Sequence, residues 1–308
     1  MSYVSPRAKT EDLEAKLQAW AEQDVVDEDR LRQAFDSATA SYYRRFLRRL
    51  DRHVKHGERR LLDVGCSTGQ LLAVAREEGW QGSGLEIGRE SAKYAYRELG
   101  LDVKQGSLYS YDFGTERFNA VAMIEVIEHL EDPAQALGRI RNLLHQDGLL
   151  LVTTPNFDSL FRRLFGSGWW VINCEDEHIV LFNIATLRAM LESTGYEIVD
   201  WYMQGIDVIG MIRQFKTRRS NSSRKEEVDF IAESTAGASS SGGADGYYES
   251  RASLNRAKVI LRRLGLISVA RGLLRLFSRT FSMRGSPTYA LGEQMVVIAR
   301  KRSQDDAT

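Results

Sequence analysis

The sequence has few cysteines, no excess of charge of one sign and no long apolar run. Its 308 residues include two cysteines, which provide no disulfide framework and favour a reducing compartment. Lysine plus arginine and aspartate plus glutamate both total 42, so the net charge gives no indication of nucleic acid as a partner. No stretch approaches the ~20 apolar residues of a membrane span, and the first residues lack the apolar core of a signal peptide. We therefore expect a cytoplasmic protein.

The most informative segment is a glycine-containing turn between an apolar strand and a helix. Residues 61–72 read LLDVGCSTGQLL, with Asp63 before the turn and Gly65 and Gly69 within it. Glycines let the backbone of such a turn come close to a nucleotide-like ligand. A second apolar segment ends at Glu86, and a carboxylate at the tip of the second strand is where the hydroxyls of a ribose are held. Together these features predict a site for a nucleoside-containing cofactor.

Two other interpretations of this turn fit less well. Residues 65–69 also match G-x-S-x-G, the nucleophile turn of α/β-hydrolases, with Ser67 as the nucleophile. That fold needs an oxyanion loop and further strands upstream, whereas polar, helix-like sequence precedes Leu61. The dinucleotide fingerprint G-x-G-x-x-G is not met, because Ser67 stands where its second glycine belongs.

Four segments resemble the class I S-adenosylmethionine (SAM)-dependent methyltransferases. Residues 63–69, DVGCSTG, resemble the first motif of that family, D-x-G-x-G-x-G. Residues 118–133 (FNAVAMIEVIEHLEDP) resemble its fourth strand and the E-H-L-x-D-P signature, and residues 149–156 (LLLVTTPN) resemble its fifth strand. Residues 177–183, EHIVLFN, resemble the E-H-x-x-x-F-S segment of a subfamily that contains ubiquinone-pathway and polysaccharide-pathway O-methyltransferases.

The resemblance implies SAM as the cofactor and S-adenosylhomocysteine as the product. It implies that Asp63 orients the turn and the amino-acid end of SAM, and that Glu86 binds the ribose hydroxyls. The sequence departs from the family at Ser107, where an acid often meets the adenine amine, and at Asn119, where an Asp is usual. The residues expected to bind the cofactor are Asp63, Gly65, Cys66, Ser67, Gly69, Glu86, Ile87, Ser107, Leu108, Ile124 and Glu125.

Two histidines are expected near the acceptor. His129 follows the fourth strand and His178 precedes a helix, so both point toward the carboxyl edge of the sheet, where ligands bind in such folds. We expect His178 to act as general base and His129 to position the cofactor or acceptor, with a purely structural hydrogen-bonding role as the alternative. No metal is expected, because the adjacent residues 175–178 cannot all face one ion.

The expected reaction is methyl transfer to a hydroxyl of a saccharide or a lipid-linked glycan. The resemblance also fits methyl transfer to a quinone precursor, and a third alternative is a SAM-binding partner protein without turnover. Residues 125–128 read EVIE, unlike the N-P-P-Y-like residues of methyltransferases that act on nucleobases, so nucleobase methylation is not expected. The oligomeric state stays open.

The alternation of strand and helix patterns predicts an α/β fold around these motifs. With the resemblance, we expect a doubly wound, mostly parallel, seven-stranded Rossmann-like sheet. Its core would comprise residues 58–205 and 291–302. Residues 1–57 would form a helical N-terminal extension or lid, from which Tyr42 and Tyr43 reach the cofactor or acceptor.

The remaining residues, 206–290, read as a late insertion into that core. Residues 216–250 are rich in serine and glycine, which predicts a flexible loop. Residues 251–284 carry basic residues interleaved with apolar ones and no acidic residue. Such a pattern predicts amphipathic helices that lie on an anionic membrane at its inner face, or that cover one side of the sheet.

Overall fold

The protein is described by a computed structural model that covers residues 2–3, 37–55, 59–166, 169, 171, 178–205 and 292–303. Apart from Gly205, these residues belong to one of the two units into which the chain divides, Met1–Gln204 with Met283–Thr308. The predicted insertion, with its flexible loop and basic helices, lies outside the described residues. None of the described helices has the length and apolar character needed to cross a membrane.

The elements are numbered here in chain order. The strands are β1 (Ser2–Tyr3), β2 (Arg60–Val64), β3 (Gln81–Glu86), β4 (Asp102–Gln105), β5 (Phe118–Ile124), β6 (Leu144–Pro155), β7 (Val180–Leu181), β8 (Tyr196–Gln204) and β9 (Gln294–Lys301). The helices are α1 (Ser37–Asp51), α2 (Gln70–Glu77), α3 (Arg89–Arg97), α4 (Pro133–Leu143), α5 (Leu160–Phe165) and α6 (Ile184–Ser193), with a 3₁₀ turn at Ile127–His129.

Seven strands form one sheet in the order β4-β3-β2-β5-β6-β9-β8. The five strands from β4 to β6 pair in parallel, and β9 pairs antiparallel with both β6 and β8. The strand order reverses between β2 and β5, so the carboxyl ends of these two strands border the crevice where ligands bind in open α/β sheets. The predicted fold class is confirmed. A separate two-stranded pair joins β1 to β7.

The central strands are buried on both faces, which explains their continuous apolar sequences. Along β5, Val121 and Met123 join one core cluster, whereas Ala120 and Ala122 join the cluster on the opposite face. This alternation follows from the two-residue period of a strand.

Helix α1 lies against the second face of the sheet. Its apolar residues Phe46, Leu47 and Leu50 are completely buried. Arg49 adds a salt bridge of 2.6 Å to Asp200 in β8, and its guanidinium lies 3.9 Å from the centre of a tyrosine ring in the same strand. These contacts fix the helix that carries Tyr42 and Tyr43 to the core.

Candidate active site

The turn after β2 requires glycine at two positions. Gly65 and Gly69 have φ values of +71° and +84°, in the left-handed region that favours glycine. A Cβ atom at Gly65 would lie 2.6 Å from Cγ2 of Val126, and one at Gly69 would lie 2.5 Å from Cδ1 of Leu101. The turn therefore has no room for a side chain at either position. Gly69 is also the N-cap of α2, so the turn leads directly into a helix N-terminus.

Glu86 connects this turn to the end of the neighbouring strand. Its Oε2 accepts a hydrogen bond of 2.7 Å from the Ser67 N–H, and its Oε1 accepts one of 2.7 Å from the Gly88 N–H. The side chain is 7% exposed. A buried carboxylate at the carboxyl end of β3, beside a turn without side chains, fits the expected role of binding ribose hydroxyls.

Asp63 and Cys66 flank Gly65 but have different surroundings. Asp63 is buried, and its pKa is raised well above the usual value, first by burial and then by the negative charge of Glu86. Cys66 packs over Gly84, where an added Cβ would lie 2.6 Å from the cysteine Sγ. Burial also raises the pKa of the Cys66 thiol. The Cys66 side chain therefore contributes packing beneath the turn.

The residues expected beside adenine lie next to Glu86. Ser107 and Leu108 follow β4, and the N–H of Gly106 donates a hydrogen bond of 2.9 Å to the backbone oxygen of Glu86. Leu108 is buried, whereas Ile87 and Ser107 are half-buried. The fold thus places the expected adenine-binding residues at one edge of the glycine turn.

At the end of β5, Ile124 and Glu125 lie at the switch in strand order. Glu125 has a φ of +54°, and its N–H donates to the Thr153 backbone oxygen at 3.1 Å. Its Oε1 accepts hydrogen bonds of 2.8 Å from Thr153 Oγ1 and from Gln294 Nε2. Burial raises the pKa of Glu125, while these two hydrogen bonds and the charge of His178 act in the opposite direction.

Helix α1 reaches the same place. The Tyr42 hydroxyl and the Gln294 amide are hydrogen bonded, with Gln294 Nε2 at 2.9 Å. Burial raises the pKa of Tyr43, and the negative charges of Asp63 and Glu125 raise it further. The sequence pointed to the two tyrosines through their place in a predicted lid. It carried no signal for Gln294, which lies at the start of a distant strand.

The two histidines expected near the acceptor are in contact. The ring centres of His129 and His178 lie 4.8 Å apart, with an angle of 50° between the planes. Nδ1 of the buried His178 lies 3.0 Å from the Val171 backbone oxygen. Because a carbonyl oxygen only accepts hydrogen bonds, Nδ1 carries a proton in this contact, and whenever the ring is neutral Nε2 carries the lone pair.

Glu128 was not among the predicted site residues, but its side chain lies beside those of His129 and His178. Its side chain is 0% exposed, and among the described residues neither carboxylate oxygen has a hydrogen-bond partner of normal geometry. Its pKa is raised well above the usual value, first by burial and then by the charge of Glu125; nearby polar groups, including the Thr154 hydroxyl, offset this only in part. Sequence reasoning assigned no role to Glu128, because the residue was counted only as part of the longer motif that contains it.

Comparison with known proteins identifies the family. Residues 31–200, more than half of the chain, match a family described as a methyltransferase domain. The chain belongs to this methyltransferase family. The methyltransferase is 24% identical to the ubiquinone biosynthesis O-methyltransferase of Aeromonas salmonicida, over 51% of this chain and 70% of that protein. The corresponding protein of Cereibacter sphaeroides is 31% identical over 36% of this chain and 47% of its own length.

The methyltransferase spans about half the length of most curated relatives that it matches. A solved SAM-dependent methyltransferase from Archaeoglobus fulgidus aligns with a TM-score of 0.48 at 18% identity, covering 85% of this chain and 94% of that one. SAM is the cofactor of the family. The residues of this chain fit SAM, because the turn at Gly65 and Gly69 excludes side chains beside a buried carboxylate, Glu86.

Proposed function

We propose that this methyltransferase transfers a methyl group from SAM to a phenolic hydroxyl of an aromatic, quinone-precursor-like acceptor. Support for an aromatic hydroxyl comes from the relatives, which are ubiquinone biosynthesis O-methyltransferases. They favour this acceptor over the saccharide that the sequence suggested. The observation that carries the proposal is the contact between the rings of His129 and His178 after the end of β5, at the switch in strand order.

The protein's tasks in this reaction are to bind, to orient and to accept one proton. SAM supplies a methyl group that its sulfonium already activates. With SAM and acceptor bound, the methyl group would pass from the sulfonium sulfur to the acceptor oxygen, and the hydroxyl proton would move to the lone pair on Nε2 of neutral His178. Pre-arranged geometry is worth ~7–11 kcal/mol of the barrier in well-oriented systems, and a general base adds about 10²–10⁴ in rate.

The glycine turn, Glu86 and Tyr43 would each have a role in this reaction. The backbone from Gly65 to Gly69 would border the methionine and ribose portions of SAM, and Glu86 would accept hydrogen bonds from the ribose. Tyr43, which packs half-buried on the core, would cover the cofactor and exclude water. This arrangement supports the expectation that the N-terminal helix acts as a lid.

The test is methyl transfer by His178→Gln, with His145→Gln as the matched control because His145 is exposed in β6. Transfer of labelled methyl from SAM is measured with a panel of catechol-type and saccharide acceptors, and SAM affinity is measured by calorimetry. We expect His178→Gln to lose about 10²–10⁴ in kcat while SAM affinity stays within about twofold. Transfer to saccharides alone contradicts the acceptor class. SAM binding without turnover on any acceptor supports the non-catalytic alternative instead.

A further inference from the structure

A cavity of about 220 Å³ lies at the amino edge of the sheet, where β5 begins and α4 ends. Its walls come from the segment that joins β4 to β5 and from the C-terminal half of α4, and they include Tyr111, Phe113, Arg117 and Arg139. Arg117 precedes β5, whose seven residues place it about 20–25 Å from Glu125 at the other end of the strand. The cavity is therefore separate from the candidate active site.

Two arginines give this cavity a positively charged wall. Both residues are half-buried, and within the described part of the chain neither Arg117 nor Arg139 forms a salt bridge with a carboxylate. Glu116, the acid next to Arg117, pairs instead with Arg60 at 3.2 Å. Two like charges on one cavity repel each other, and partial burial of a charge without a counter-charge is unfavourable. An anion bound between the two guanidinium groups would offset both effects.

Backbone oxygens hold both guanidinium groups in place. Arg139 Nη2 donates a hydrogen bond of 3.1 Å to the Tyr111 backbone oxygen, and Arg117 Nη1 donates one of 2.7 Å to that of Glu116. A guanidinium has five N–H donors, so these bonds leave most donors of each group for a ligand. Asp112 also lines the cavity, and its Oδ1 accepts a backbone hydrogen bond of 2.8 Å. Two arginines and one aspartate leave the described lining with a net positive charge.

The rest of the cavity wall is apolar. The rings of Tyr111 and Phe113 pack edge to face with their centres 4.8 Å apart, and Phe113 in turn contacts Phe118 of β5. Leu143, at the end of α4, is buried. Apolar walls lower the local dielectric constant and strengthen the attraction between the arginines and an anion. The volume is below the ~300–1,000 Å³ of sites for drug-sized ligands, which favours a small anion over a nucleotide.

We propose that this cavity, the amino-edge site formed by Arg117, Arg139 and Tyr111, binds phosphate or a small phosphomonoester. Planar guanidinium groups match phosphate oxygens through paired hydrogen bonds, and phosphate offers at least three oxygens to two such groups. A carboxylate has only two oxygens and is matched by a single guanidinium. The exposed amide of Asn142 lies on the rim and adds a neutral donor. This proposal is independent of the acceptor of the methyl group.

The amino-edge site is connected to the region expected to bind adenine. The segment between β4 and β5 carries Ser107 and Leu108 at its start and the cavity residues at its end. The Tyr111 N–H donates a hydrogen bond of 2.9 Å to the Ser107 backbone oxygen, while the Tyr111 oxygen accepts from Arg139. A phosphate that fixes Arg139 would therefore order the segment that carries Ser107. We expect saturating phosphate to raise SAM affinity by about fivefold or more, the lower end of typical coupling between two sites.

The first test is calorimetry of the full-length chain with inorganic phosphate, glycerol 3-phosphate and acetate at physiological ionic strength. We expect one saturable equivalent of either phosphate and at least about tenfold weaker binding by Arg117→Gln and by Arg139→Gln, since each removes one charged donor group. Arg139→Lys, which keeps the charge without the planar group, should also bind more weakly than the wild type. Arg97→Gln, an exposed change in α3, should bind normally. No saturable binding at millimolar phosphate overturns the proposal, as does binding that survives both glutamine substitutions or equals that of acetate.

Thermal unfolding separates loss of the site from loss of the fold. Phosphate should raise the Tm of the wild type and of Arg97→Gln but not that of Arg117→Gln, which should unfold cooperatively without ligand. Binding to vesicles that contain phosphatidic acid, without binding of the free phosphates, overturns the assignment to a small molecule. SAM affinity measured with and without phosphate tests the coupling, and the gain should be absent in Arg139→Gln. SAM affinity that is independent of phosphate overturns the coupling, whereas calorimetry with phosphate alone decides the site.

Discussion

Nε2 of Gln294 donates a hydrogen bond of 2.8 Å to Oε1 of Glu125, although 169 residues separate them in the chain. Glu125 follows β5, and Gln294 is the first residue of β9. The Gln294 amide also bonds to the Tyr42 hydroxyl of α1 at 2.9 Å. One side chain therefore joins two strands and the predicted lid helix at the point where cofactor and acceptor are expected to meet.

Removing this amide should uncouple α1 from the site. Gln294→Leu leaves the Tyr42 hydroxyl without this partner and removes one of two hydrogen bonds to the Glu125 carboxylate, at a cost of about 1–3 kcal/mol in unfolding free energy. Tyr42→Phe should cost about 1 kcal/mol. The double variant should cost less than the sum, because the two side chains share a bond. Urea unfolding measures all three, with the exposed Tyr96→Phe as control; strictly additive costs contradict the coupling.

The glycine requirement of the turn can be separated into backbone strain and steric exclusion. Gly65 and Gly100 both have positive φ, but an added Cβ contacts Val126 at Gly65 and meets nothing within 4 Å at Gly100. Gly100→Ala should therefore cost only the strain, about 1 kcal/mol, and Gly65→Ala about 1–3 kcal/mol more.

Two measurements check this difference. Val126→Ala in the Gly65→Ala background should recover the steric part of the lost unfolding free energy and leave the strain. SAM affinity should fall for Gly65→Ala and stay unchanged for Gly100→Ala. Equal destabilisation by the two alanine substitutions would mean that the approach of Val126 has no energetic consequence.

Glu86→Gln should weaken SAM binding while the side chain keeps nearly the same shape. The substitution keeps the size of the side chain but removes the charge that strengthens hydrogen bonds from the Ser67 and Gly88 N–H groups and, when SAM is bound, from the ribose. We expect at least tenfold weaker SAM binding by calorimetry and a loss of about 1–3 kcal/mol in unfolding free energy. Glu90→Gln, an exposed change in the next helix, is the matched control. If the SAM affinity of Glu86→Gln equals that of the wild type, the Glu86 carboxylate does not contribute to SAM binding.

Asp63 should make the folding stability of the protein decrease as the pH rises. Its pKa is higher in the folded state than in the unfolded chain, so the folded state binds more protons. The stability that Asp63 contributes is complete below the unfolded carboxyl pKa of about 3.9 and declines as the pH rises through the folded-state pKa. Asp63→Asn should therefore remove part of the decline in Tm between about pH 4 and neutrality.

Asp147→Asn is the control of opposite sign, because the hydrogen bond from Lys55 lowers the pKa of Asp147. Its contribution to stability is lost as the pH falls, and it should be small because both side chains are exposed. Tm measured across the same pH range compares wild type with both variants. Parallel curves for wild type and Asp63→Asn would contradict the raised pKa.

The local parts of the site followed from the sequence alone. The glycine turn and the Glu86 carboxylate were found because a strand, a turn and a helix are coded by neighbouring residues: apolar runs, glycines that accept positive φ, and a fixed spacing to the next strand. The alternation of such units also determined the fold class, since parallel strands require crossover helices that cover both faces. His129 and His178 were each assigned to the carboxyl edge by the same reasoning.

What the tertiary structure alone decided is which distant residues share that edge. Gln294 reaches Glu125 because β9 inserts between β6 and β8, and nothing in the residues around either position encodes that strand order. Glu128 has no distinguishing sequence signal, and only the packing of two segments buries its carboxylate beside two imidazoles. Cys66 was predicted to border the cofactor as part of the turn, and only the structure shows that its side chain packs against Gly84. Periodicity and turn chemistry act over a few residues, whereas hydrogen bonds between segments depend on the packing of the whole sheet.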